Sequence, residues 1–355
     1  MSASTLSARK PVAAWLLLCA ALVFAMVVVG GVTRLTHSGL SMVEWEPLVG
    51  AVPPLSQADW QALFERYQQT PEFKQVNHAM DVEGFKTIFW WEYFHRLLGR
   101  TIGLVFLLPF LWFLLTRKVS GRLAWQLGGI FLLGALQGAL GWYMVKSGLV
   151  EDPRVSHFRL TAHLGVALAI FAAEFWIALG LLAPRKPPAD RLAAGLAYLV
   201  FAMALAGAMV AGLRAGYAYN TFPLMNGHLV PPETFMLEPW WRNFLYNMAA
   251  VQLVHRAIFW VLLVLVPLVW WRHRALPSAN VLLGAFIVQA SLGIATLLLR
   301  VPVALAALHQ AGAVLLFAAA LWTAHASRRV EDSSSAASGR DRFAVRMPSH
   351  VADER

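Results

Sequence analysis

The chain has 355 residues, 59% of them hydrophobic and only 14% charged, with a mean hydropathy of +0.58. A soluble globular chain carries about 25% charged residues, so the deficit excludes a soluble enzyme and places most of the chain in lipid. The formal net charge of +10 does not point to nucleic acid. The basic residues gather in short clusters beside apolar runs, the positive-inside pattern of membrane proteins. A single cysteine, Cys19, excludes a disulfide framework or a multi-cysteine metal site within one chain.

A helix needs about 20 apolar residues to cross the hydrocarbon core. Eight such spans are expected, at about 11–34, 88–116, 123–145, 158–183, 191–213, 245–271, 278–299 and 303–326. The first run, Pro11 to Val32 behind Arg9 and Lys10, is long for a signal-peptide core and reads as a retained span. An outer segment over 35–87 follows, with Pro47, Pro53 and Pro54 and then a polar, helix-compatible stretch from Gln57 to Met80.

With eight spans, five basic clusters fall on one side: Arg9 and Lys10; Arg117, Lys118 and Arg122; Arg185, Lys186 and Arg191; Arg272 and Arg274; Arg328 and Arg329. The opposite loops hold Glu44, Glu46, Glu72, Asp81, Glu83, Glu151 and Asp152. Both termini are therefore expected in the cytoplasm, the protein being a multi-pass protein of the cell inner membrane. The Ser-rich, charged tail lacks the apolar residues to build a core and reads as disordered.

The chain also repeats. EYFHRLLGRTIGLVFLLP in span two parallels QLVHRAIFWVLLVLVP in span six, and LQGALGW in span three parallels VQASLGI in span seven. EPLVGAVPP after span one parallels FPLMNGHLVPP after span five, and His163 and His309 open spans four and eight. Four matches in one order imply a duplication. The expected fold is all-α, a polytopic membrane protein of about eight transmembrane helices in two duplicated four-helix bundles. The divisions are a cytoplasmic N-terminus (1–10), a first half (11–183), a linker (184–190), a second half (191–326) and a disordered cytoplasmic tail (327–355).

Four histidines, His95, His163, His255 and His309, lie in the outer parts of spans two, four, six and eight. An ionisable group inside a membrane is a functional hypothesis by default. Two imidazoles per half suit axial ligation of one haem iron per half. For one histidine alone, a core residue bonded to backbone is the better reading; four in repeated positions favour haem. Arg96 and Arg256 directly follow the span-two and span-six histidines, where a guanidinium fork suits haem propionates. The alternative is an arginine snorkelling to the headgroups.

Glu92 lies three residues before His95, on the same helix face, and Gln252 holds the matching place before His255. Chemistry is therefore expected in the first half only. Glu92 there would relay a proton, position oxygen or stabilise a cationic intermediate; the alternative is a simple ion pair with Arg96. His157 reads as interfacial, Gln137 and Gln289 as interhelical bonds, and Trp90, Trp91, Trp240, Trp241, Trp270 and Trp271 as interface belts. Glu174, in the middle of span four, has no assigned role. The patch of Gly128, Gly129 and Gly134 would permit close helix contact, within the chain or in a homo-oligomer.

These motifs resemble the haem A synthase family, in its proteobacterial and mitochondrial form. The resemblance rests on GGVTRLTHSGLSMVEWEPLVGAVPP, EYFHRLLGR, QGALGWYMVKSGL, VSHFRLTAHL, FPLMNG, VHR and ALHQ, and covers residues 11 to 326. It implies oxidation of the C8 methyl of haem O to a formyl group, giving haem A for cytochrome c oxidase. By position it implies Glu92 as the catalytic acid, His95 and His163 as the substrate-haem ligands, and His255 and His309 as ligands of a haem b cofactor that passes electrons. Implied partners are membrane lipid, a haem O synthase and cytochrome c oxidase assembly factors, with no nucleic acid. Some members carry cysteine pairs in the outer loops; this chain has none. Two rivals remain: a di-haem b-type electron carrier linked to quinol, and a transporter, which the parallel repeat and unbroken mid-membrane segments disfavour.

Overall fold

The computed structural model describes residues 3–44, 52–149, 155–186 and 188–330. Glu46, Pro47, Glu151, Asp152 and the tail from residue 331 lie outside the described residues. Eight helices are long and apolar enough to cross a membrane. They are α1 (Ala3–Leu35), α4 (Val82–Leu115), α5 (Gly121–Gly148), α6 (His157–Leu182), α7 (Arg191–Gly212), α10 (Met248–His273), α11 (Pro277–Leu298) and α12 (Val303–Ala326). Outside the spans lie the short helices α2 (Gln57–Gln68), α3 (Pro71–Gln75), α8 (Ala215–Ala218) and α9 (Asn243–Tyr246). The protein is thus an all-α polytopic membrane protein.

Span ends follow their caps. Asp81 accepts from the Gly84 N–H at 2.8 Å, so α4 starts six residues before the apolar run does. Asn247 accepts from the Ala249 and Ala250 N–H groups, which starts α10 at Met248 and separates it from α9. Each cap satisfies donors that a helix start leaves orphaned.

α1 is central. Its Val12, Trp15, Leu16, Cys19, Ala20, Val23 and Val27 are buried, and it packs against α6, α4 and α12. α12 in turn packs on α11, α7 and α6, so α1, α6, α7 and α12 form the middle of the bundle. A two-residue antiparallel pair, Arg185–Lys186 with Arg329–Val330, joins the α6–α7 linker to the segment after α12 at one end of the molecule.

The outer segment of the first half forms a roof. Ser56 and Asp59 close a capping box on α2, which lays Trp60, Phe64 and Tyr67 against Phe85 and Phe89 of α4. Trp60 meets Phe89 edge-on at 5.0 Å, and Tyr67 stacks on Phe85 at 5.2 Å. Such ring pairs add about 0.5–1.5 kcal/mol each beyond the area they bury. The stretch expected to be helical over 57–80 therefore holds α2 and α3, fixed to the extramembrane turns of α4. The matching outer segment of the second half packs by a smaller cluster, Tyr219 and Met225 against Ala249 of α10, and its Trp240 and Trp241 are exposed.

Candidate functional site

Each of the four span histidines is seated the same way. The ring of His95 on α4 lies over Gly30 of α1, His163 on α6 over Gly141 of α5, His255 on α10 over Gly207 of α7, and His309 on α12 over Gly293 of α11. A Cβ at these glycines would stand 2.8, 3.3, 3.2 and 2.7 Å from the Cε1 of the imidazole. In every case the glycine is on the span preceding that of the histidine. The rings are half-buried, yet the Nδ1 atom of all four is enclosed and without a hydrogen-bond partner. In all four the Cε1 atom is the one nearest the glycine, followed by Nδ1 at Gly30, Gly207 and Gly293 and by Nε2 at Gly141.

His95 and His163 lie within electrostatic reach of one another, as do His255 and His309. Among the described residues, no three His, Cys, Asp or Glu gather as a metal-ion site. Two imidazoles without a third donor suit a ring-held iron with two axial positions rather than a tetrahedral zinc site. A ligating histidine also orients its second nitrogen on a carbonyl or carboxylate. The rings of His255 and His309 sit beside the carbonyls of Met203 and Gln289, short of a formed hydrogen bond. Both carbonyls belong to the residue four before the seating glycine, where the missing side chain leaves them open. The donor set therefore fits haem.

The two arginines make one structure twice. Arg96 donates from Nη2 to the Met42 carbonyl (2.8 Å) and from Nη1 to that of Glu44 (2.8 Å). Arg256 donates from Nη2 to the carbonyls of Tyr219 (3.3 Å) and Thr221 (2.7 Å), and from Nη1 to Pro223 and Leu224. In both halves the guanidinium thus ties down the chain that leaves the preceding odd span. The propionate contact expected of Arg96 and Arg256 has to be set against these bonds, which take up most of their donors.

Where the halves part is the position before the histidine. Glu92 is buried and holds the Arg96 Nε at 2.6 Å. Gln252 instead donates to the Tyr219 carbonyl at 2.9 Å, and the Arg256 Nε is enclosed with no partner. The ion pair named as the alternative for Glu92 is present, and it fixes the carboxylate one turn from the His95 ring. A carboxylate held by a guanidinium beside a substrate can still accept or return a proton.

Sequence reasoning missed several residues. Glu72, read only as an outer acid, is buried; it accepts from the Tyr67 hydroxyl at 3.2 Å, and Asn77 donates to that hydroxyl at 2.7 Å. Burial first, and then the nearby Glu92 charge against the relief from Tyr67, push its carboxyl up to about 7. The four seating glycines were also missed, although HxxxG-like regularities could not reveal them, since each pairs with a histidine on another span. Gln289 does make the expected interhelical bond, donating to the His309 carbonyl at 2.9 Å, whereas the Gln137 Oε1 is enclosed without a partner. Glu174 is buried in α6 with Oε2 unpartnered.

The chain is a membrane protein of eight apolar helices that carries two pairs of glycine-seated imidazoles, a donor set compatible with a flat, iron-bearing ring. Residues 13–321 match the family model described as cytochrome oxidase assembly protein. A heme A synthase of Nitrosospira multiformis is 62% identical over 336 residues, 90% of this chain and 94% of that protein. One of Nitrosomonas eutropha is 53% identical (88% and 93% covered), and one of Rhodospirillum centenum 50% (96% and 95%). The chain belongs to the haem A synthase family of cytochrome oxidase assembly proteins.

Proposed function

We propose that this chain is an oxidoreductase that converts haem O to haem A, oxidising the C8 methyl group to a formyl group for use in cytochrome c oxidase. The observation that carries it is the single carboxylate, Glu92, in one of two otherwise matched sites; a symmetrical di-haem carrier has no need of it. The names of the relatives likewise favour the enzyme over the electron carrier.

In this reading His95 and His163 hold the substrate ring and His255 and His309 hold haem b, in two duplicated halves spanning 11–183 and 191–326. The iron porphyrins, when bound, supply the redox chemistry. The protein's own residues do the rest. Gly30 and Gly141 set the depth and tilt of the two substrate-site imidazoles. Arg96 and Arg256 brace the outer chain, with their remaining N–H groups turned to any propionate in reach. Arg96 keeps Glu92 oriented, and Glu92 holds or returns a proton at its Oε atoms beside the substrate. The aromatic roof of α2 on α4 limits water above that site.

The basic clusters at one end of the bundle support an inner-membrane orientation with both termini in the cytoplasm and the haem sites toward the periplasm. Supply by a haem O synthase, hand-over to oxidase assembly factors and a homo-oligomeric state complete the proposal. The test is expression in a host that makes haem O but not haem A, followed by chromatography of the extracted haems. Haem A, or a hydroxylated haem O, beside haem b is the expected result. Haem b alone despite available haem O would replace the enzyme by the di-haem carrier.

A further inference from the structure

Two arginines and a histidine meet on the outer face where the two halves join. Arg34 stands in the last turn of α1, four residues beyond Gly30, the seat of His95. Its Nη2 donates across the seam to the carbonyl of Ala211, four residues beyond Gly207, the seat of His255. At 1.5 Å per residue, Arg34 and Ala211 each lie about 6 Å outward of an imidazole seat. His37 and Arg214 follow these positions by three residues, and both turn the chain through the left-handed region, at φ 54° and 56°. The same turn thus ends α1 and α7 and directs a basic side chain from each half to the seam.

Arg214 and Arg34 are near enough to act on the His37 ring; burial first and then these two charges hold its imidazole below the ordinary value. Among the described residues, no carboxylate lies within ion-pair distance of Arg34, His37 or Arg214. Like charges gathered without an acid are mutually destabilising unless an anion is bound. The arginines beside the histidines are largely committed to loop carbonyls, so the anion of this region needs another cationic partner.

We infer that Arg34 and Arg214, with His37, form the carboxylate-binding site of the haem-holding region, gripping porphyrin propionates at the seam between the two halves. This rests on the haem reading above. A porphyrin held at its central iron by seated imidazoles carries its two carboxylates on one edge of the ring. With that edge outward, they reach the level of the cluster, about one turn beyond the imidazole seats. Guanidinium groups are suited to them because a planar fork of N–H donors matches a carboxylate. Placement on the pseudo-symmetry seam lets one cluster serve the carboxylates of both sites.

The probe is iron protoporphyrin IX compared with its dimethyl ester, which keeps the ring and iron but lacks the charges. The full chain, prepared haem-free in detergent, is titrated with each, and the bis-imidazole absorption band reports binding. The wild-type chain is expected to prefer the diacid by about tenfold or more. Arg34→Gln and Arg214→Gln should each reduce that preference several-fold, with ester affinity and the bis-imidazole band unchanged. Arg214→Gln guards the test against misfolding, because that side chain is exposed.

No binding of either porphyrin to the wild-type chain would overturn the haem reading and this proposal with it. Bis-imidazole binding with an undiminished diacid preference in both variants would overturn the carboxylate site alone. Equal loss of diacid and ester affinity would show a structural role and overturn it too. So would a preference lost only in Arg96→Gln or Arg256→Gln.

Discussion

The two halves of this molecule are alike in how they seat their histidines and unlike in what stands beside them. Both press imidazoles against glycines of the preceding span. Both spend an arginine on carbonyls two residues apart in the preceding loop, Met42 and Glu44 in one half, Tyr219 and Thr221 in the other. The differences are the buried carboxylate Glu92 against Gln252, and an aromatic roof over the first half against an open, tryptophan-bearing loop over the second. In the proposed reading duplication supplied the holder twice, and a change of one oxygen for one nitrogen, with a roof, separates the site of chemistry from the site of the electron-passing cofactor.

The sharpest way to break this contrast is to make the halves chemically equal. Glu92→Gln gives the first half the amide of the second and should lower haem A formation about a hundredfold or more. Haem content should stay the same, as read by chromatography of extracted haems. Normal product from that variant would remove Glu92 from the mechanism. The reciprocal Gln252→Glu should leave the product yield unchanged, since the second half lacks the roof.

A smaller effect is expected at the seats. A methyl at Gly30 or Gly293 meets the imidazole at 2.8 or 2.7 Å, against 3.3 and 3.2 Å at Gly141 and Gly207. Gly30→Ala and Gly293→Ala should therefore cost about 1–3 kcal/mol of overpacking, with Gly141→Ala and Gly207→Ala milder. Thermal unfolding and the position of the bis-imidazole band would check the ranking. Equal behaviour of all four would mean that the imidazoles move freely away.

The smallest effect concerns the roof. The carboxyl of Glu72 is pushed up to about 7 from an ordinary 4.5, mainly by burial. The folded state thus binds this proton more tightly than the unfolded one. Its stabilising contribution is complete below about pH 4.5 and declines as pH rises toward about 7. The amide protection factors of α2 and α3, taken against the base-catalysed intrinsic rate, should accordingly fall from about pH 5 to about pH 8. Glu72→Gln should flatten that dependence, and a profile unchanged in the variant would show that Glu72 is not its source.

The spans were legible because lipid demands runs of apolar residues whose backbone bonds are satisfied within the helix. The ends moved where a cap outranked hydropathy, as at Asp81 and Asn247. The histidines could be found because a titratable side chain in a membrane segment has few reasons to be there. Their seats could not, because Gly30 and His95 are 65 residues apart and only the packing brings them together. Arg96 and Arg256 stand out in the sequence as a pair, but the sequence alone does not show that both bond to the carbonyls of the loop before their span. Glu72 was invisible for a similar reason, since nothing local to α3 shows that α2 and α4 enclose it.

Gly30 and Gly31 have a consequence for how this protein can change. One receives the His95 ring; its neighbour receives Gln310, the residue after His309, whose Nε2 donates to the Val27 carbonyl at 2.7 Å. A single turn of α1 is therefore a party wall, with a histidine-bearing helix of each half leaning on it. Substitutions at His95 and Gln310, residues of different halves, should be strongly non-additive in a double-mutant cycle. Neither half is free to drift in sequence without the consent of the other.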